Sequence, residues 1–135
     1  MTDKPTLPPI ITTEVYCFLQ VEATHSWPTC PFDEVAYLRA PHRHLFHIKA
    51  YRAVSHDDRD VEFIMLKHQI LQYLSETYYD SRQGKLHVFG AKSCEMVGRE
   101  LIEVFGLTKC DVSEDGENGS VVTATPALWV EKRSE

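Results

Sequence analysis

The chain has 135 residues, 43% hydrophobic and 25% charged, with 14 Lys and Arg against 20 Asp and Glu for a formal net charge of -6. That length suits one domain with its own core, and the composition excludes a disordered acidic tail. The acidic balance argues against nucleic acid, which calls for a basic face, and no apolar run approaches the roughly 20 residues of a membrane span.

Residues 1–13, with Pro5, Pro8 and Pro9, read as an extended lead-in to a single domain over 14–131, with 132–135 as a tail. From Glu14 to His25 the apolar residues Val15, Cys17, Leu19, Val21 and Ala23 alternate with period two, which predicts a strand with His25 at the end of its apolar face. A proline-bearing loop, with a helical turn near Asp33 to Leu38, leads to a second strand from His42 to about Ser55. His42, His44, Phe46, Ile48, Ala50 and Val54 share one face of it, with Arg52 as an intruder. Asp57, Asp58 and Asp60 are placed to end that strand and favour the start of a helix.

The spacing of Phe63, Leu66, Ile70, Tyr73, Leu74 and Thr77 predicts a helix over about Val61 to Tyr78. Gly84 closes a polar loop, and Lys85 to Phe89 is a short apolar piece. A second helix runs from about Lys92 to Phe105 and stops at Gly106. The remainder reads as a hairpin, Lys109 to Glu114 and Ser120 to Thr125, with Pro126 interrupting it and Leu128 to Val130 a possible extension. The expected fold is α+β: an antiparallel four-stranded sheet in the order strand, strand, helix, helix, strand, strand, with both helices on one face.

Cys17, Cys30, Cys94 and Cys110 form no C-x-x-C pair. With no signal pattern at the start, a cytoplasmic protein without a disulfide framework is expected. The histidines are more informative. Side chains two apart on a strand point the same way, so His42 and His44 project together. If the first two strands pair antiparallel, His25 joins them at one rim of the sheet. Three imidazoles with an open fourth position form a catalytic-type zinc site.

These residues resemble the 6-pyruvoyl-tetrahydropterin synthase and 6-carboxy-tetrahydropterin synthase family. The resemblance is carried by Glu22-Ala23-Thr24-His25, His42-Arg43-His44, Glu62-Phe63 with Leu66-Lys67, and Ser93-Cys94-Glu95. It implies the tunnelling fold, subunits assembled into oligomeric barrels, and zinc on His25, His42 and His44. It further implies a lyase acting on a reduced pterin triphosphate, in tetrahydropterin or queuosine and deazaguanine synthesis. Glu114 then anchors the ring and Glu95 lies in the substrate motif, while Arg39 suits phosphate oxygens.

The chain departs from the family at chemically important places. Leu38 stands before the histidine pair where the family has a cysteine, leaving Cys30 as the nearby thiol. His87 matches the family's relay histidine, but Leu86 stands where its aspartate partner belongs. Three readings follow: a zinc-dependent synthase using Cys30 or His87; a non-catalytic module that binds a pterin, purine or nucleotide; or a hydrolase using zinc-activated water. All three expect a small-molecule ligand and a homo-oligomer.

Overall fold

The computed structural model describes residues 7–83 and 86–125. The beginning of the lead-in (1–6), the Gly84 turn with Lys85, Pro126 with the Leu128 to Val130 extension, and the tail 132–135 lie outside the described residues.

Two long strands organise the chain. β1 (Thr13–His25) and β2 (His42–Val54) are each 13 residues long and pair antiparallel, from Thr13 opposite Val54 to His25 opposite His42. Their length follows from the alternation: Cys17, Leu19, Val21 and Ala23 are buried, and so are Phe46, Ile48 and Ala50 across from them. The connecting loop holds a 3-10 helix, Asp33–Arg39. It is closed by the Trp27 amide donating to the Leu38 carbonyl at 2.7 Å and by Arg39 Nε donating to the Cys30 carbonyl at 2.9 Å.

Helix α1 (Phe63–Tyr78) buries Leu66, Ile70 and Leu74. Its N-terminus is capped by Glu62, whose carboxylate accepts the Met65 amide at 3.0 Å. The preceding aspartates, expected to favour the helix start, organise the loop instead: Asp60 accepts both the amide and the hydroxyl of Ser55, at 2.8 and 3.0 Å. After α1 come a two-residue strand, β3 (Tyr79–Asp80), and β4 (Leu86–Gly90). Helix α2 (Cys94–Phe105) starts where the Ser93 hydroxyl accepts the Met96 amide, and stops at Gly106, whose φ of 63° suits a residue without Cβ. The hairpin β5 (Lys109–Glu114) and β6 (Asn118–Thr123) completes the fold. A Cβ on Gly119 would come within 2.2 Å of the Val112 carbonyl oxygen, so this close crossing requires glycine.

The sheet has six strands in the order β3-β4-β1-β2-β5-β6. β4 runs parallel to β1 and the other pairings are antiparallel, so the sheet is mixed. Among the described residues it is also open: β3 and β6 are its edges and do not pair with each other. The expected four-stranded antiparallel sheet is therefore corrected, because the short apolar piece after Gly84 forms a parallel strand and Tyr79–Asp80 adds another. The tunnelling-fold resemblance and its barrel fall with it.

Both helices lie on one face. α1 covers β1 and β4, while α2 covers β5 and β6. Between them and the sheet lie Leu19, Phe46, Ile48, Leu101 and Val112, each at most 2% exposed. Burial of each such side chain contributes about 1.5–3 kcal/mol, and this packing fixes the rim that carries the histidines. Among the described residues, no helix is long and apolar enough to cross a membrane.

Candidate metal centre

The β1–β2 register sets His25 directly opposite His42, with His44 opposite Ala23. Ala23 is fully buried and small, which leaves room for the His44 ring on the same face. The ring centroids lie 4.6 Å apart for His25 and His42, 5.0 Å for His42 and His44, and 5.4 Å for His25 and His44. Phe46, next along that face and fully buried, stands edge-on to His25 and His44 at 5.1 and 5.7 Å.

Each imidazole is oriented through Nδ1. His25 Nδ1 lies 2.8 Å from the Lys92 carbonyl oxygen and His42 Nδ1 lies 2.9 Å from that of Ala40. His44 Nδ1 lies 2.7 Å from Asp115 Oδ2. Carbonyl and carboxylate oxygens only accept, so Nδ1 carries the proton and Nε2 presents a lone pair. The three Nε2 atoms are buried and have no hydrogen-bond partner among the described residues. One ring nitrogen from each histidine lies within 4.8 Å of the others. Nitrogens on a tetrahedral zinc, at about 2.0–2.1 Å from the metal, stand roughly 3.3 Å apart, so small side-chain rotations close the set.

Glu114 completes the surroundings. It pairs with Phe46 across β2 and β5, which puts it on the histidine face. Its carboxylate oxygens lie 3.0 Å from His25 Nε2 and 3.5 Å from His44 Nε2 without forming hydrogen bonds, so negative charge and Nε2 lone pairs face one point, an arrangement that favours a cation there. Burial holds the His25 imidazole below its ordinary pKa, outweighing the opposing Lys92 carbonyl and Glu114 charge. A neutral imidazole is the metal-binding form. The Leu45 amide and His44 together hold Asp115 below the usual carboxylate range.

A cavity of about 460 Å³ opens beside the histidines. Trp27 and Leu38 of the β1–β2 loop form one side, Ser93, Cys94 and Glu95 of the α2 start another, and Glu114 and Asn118 of the last hairpin a third. The Cys94 thiol is pushed up to about 12 by burial and by the charges of Glu114 and Glu95, so it stays protonated at neutral pH.

Of the residues singled out from the sequence, His25, His42, His44, Glu114 and Glu95 come together here. Cys30 is buried away from the cavity lining, its thiol directed at the Phe32 and Val35 carbonyls. Arg39 is spent on the loop, on the Cys30 carbonyl and Asp33. His87 sits on β4 with Nδ1 3.3 Å from the Glu22 carbonyl and its ring against Tyr79, outside the lining. Asp115 and the carbonyl of Lys92 were not legible as site residues: one reads as turn chemistry, and the other is backbone.

The cluster is made of histidines alone, and Leu38 lines the cavity where the synthases carry a cysteine. The pterin-synthase assignment therefore does not hold, on chemistry as on fold. No protein-family model matches the chain, and no curated protein matches it.

Proposed function

We propose that this chain holds one zinc ion on His25, His42 and His44 and uses it to bind a small molecule in the adjoining cavity. The observation that carries the reading is the set of three buried Nε2 atoms without partners, each on a ring whose Nδ1 is already engaged. A buried polar atom left unpaired costs about 1–3 kcal/mol, and three converging on one point are explained by a shared ligand. Imidazole donors favour zinc and its neighbours over magnesium or calcium.

For the ligand we propose a small planar heterocycle of the purine kind. Trp27 and Leu38 supply apolar walls, and Glu114 accepts from ring N–H groups. A hydrolase is the second reading, favoured by the Glu114 carboxylate beside two of the Nε2 atoms. Zinc with an open position acidifies water, and Glu114 is placed to take up the proton.

The same proposal takes residues 14–131 as one domain in a reducing, cytoplasmic setting, where the four unpaired thiols are at home. It includes pairing between copies of the chain, since among the described residues β6 leaves an open edge that soluble proteins usually cover.

The test is calorimetric titration of zinc-loaded and zinc-free protein with adenine, guanine and hypoxanthine, alongside release of p-nitrophenol from p-nitrophenyl acetate. Zinc-dependent binding that Trp27→Ala weakens supports capture of a planar ring. Ester turnover lost in Glu114→Gln supports the hydrolase. Neither behaviour in zinc-loaded protein contradicts both ligand readings.

A further inference from the structure

A polar cluster is built around Lys92, which also lines the cavity. Lys92 Nζ stands 2.7 Å from Glu100 Oε1 and 2.5 Å from the Tyr78 hydroxyl. The Tyr73 and Tyr78 hydroxyls both donate to the Glu100 carboxylate. The cluster therefore ties the end of α1 and the middle of α2 to the segment joining β4 to α2. Nothing in the metal site uses these side chains directly. Their common feature is Lys92, whose backbone carbonyl accepts from His25 Nδ1 at 2.8 Å.

We infer that Lys92 is a positioning residue: its side chain, clamped by Glu100 and Tyr78, holds its carbonyl in place and so fixes the tautomer and orientation of His25. The inference rests on the metal reading and goes beyond it. His42 takes its acceptor from Ala40, two residues away on the same chain segment, and His44 takes its own from the β5–β6 turn. His25 alone depends on a link that follows β4, a strand of five residues. That link needs an anchor, and the ammonium supplies one to both helices.

Packing runs along the same line. The Tyr78 ring stands edge-on to Phe89 at 5.0 Å, Phe89 to Phe46 at 5.1 Å, and Phe46 to His25 at 5.1 Å. The cluster thus reaches His25 by a hydrogen-bonded path through Lys92 and by an aromatic path through Phe89 and Phe46. Outer groups that orient a ligating histidine typically change metal affinity by about 10–100-fold.

The test uses the full chain as Lys92→Met, Lys92→Arg and Glu100→Gln. Long-range proton–nitrogen NMR on the zinc-free protein reads the tautomer of each histidine, and competition with a chelating dye reads zinc affinity. Lys92→Met is expected to mix the His25 tautomers, leave His42 and His44 unchanged, and weaken zinc binding about tenfold or more. Lys92→Arg is expected to restore most of both. A folded Lys92→Met with an unchanged His25 and zinc affinity within twofold overturns the inference. Should Lys92→Met fail to fold, Glu100→Gln decides, with a smaller change in the same direction expected and no change overturning it. If wild-type protein takes up no zinc, the metal reading fails, yet the tautomer comparison still decides the role of Lys92.

Discussion

Asp115 Oδ2 lies 2.7 Å from His44 Nδ1, across 71 positions of sequence, and its other oxygen accepts the Leu45 amide at 2.9 Å. One carboxylate therefore fixes both the imidazole and the strand that carries it. It also brings negative charge within reach of a cation bound by three neutral rings.

Asp115→Ala removes both acceptors and places alanine at a φ of 56°, a left-handed conformation that aspartate tolerates better. The expected result is zinc affinity lower by about 10–100-fold and a loss of stability. Asp115→Asn, which keeps an acceptor and the conformation, is expected to lose less of each. Chelator competition and urea unfolding of the two variants check this; equal losses would mean that charge alone matters.

Glu100 predicts a pH dependence. Burial pushes its carboxyl up, but the hydrogen bonds from Lys92, Tyr73 and Tyr78 outweigh it and hold the group below its ordinary 4.5. A carboxyl depressed in the folded state contributes stability that is present above that value and lost as pH falls below it. Glu100→Gln is thus expected to unfold more easily than wild type at pH 7, by about 1–2 kcal/mol. The gap should narrow progressively below pH 4.5. Urea unfolding at neutral and acid pH measures it, and a constant gap contradicts the charge-assisted cluster.

The thiols supply a third prediction. All four cysteines are buried, and burial pushes Cys94 and Cys110 up to about 12. Native protein at pH 8 is expected to resist iodoacetamide, while urea-unfolded protein takes up four equivalents, one per cysteine. Rapid native labelling located at Cys30 by mass spectrometry would contradict the placement of that loop.

How much of this was legible depended on how local the signal is. The period-two pattern around Leu19 and around Phe46 marks the two long strands and their buried faces. From it follows the meeting of His25, His42 and His44, since antiparallel pairing leaves few other registers that bury both faces. Gly106 announces the end of α2 for an equally local reason, while its start falls at the Ser93 cap rather than at the expected Lys92. β4 is different: it is short, only Phe89 is buried in it, and its parallel pairing to β1 is a long-range choice that leaves no mark on five residues. Resemblance filled that gap with a closed barrel, and the extra strands corrected it. The supports of the site were equally invisible, because a lysine carbonyl offers no side-chain signature and an Asp-Gly pair reads first as a hairpin turn.

The central claim is tested most directly by elemental analysis of protein purified without a histidine tag, as wild type and as His42→Ala with His44→Ala. The account predicts about one zinc per wild-type chain and none in the folded double variant, since three donors with one open position are the minimum of such a site. Wild-type protein free of zinc even after incubation with the metal, or a double variant that retains it, would contradict the account.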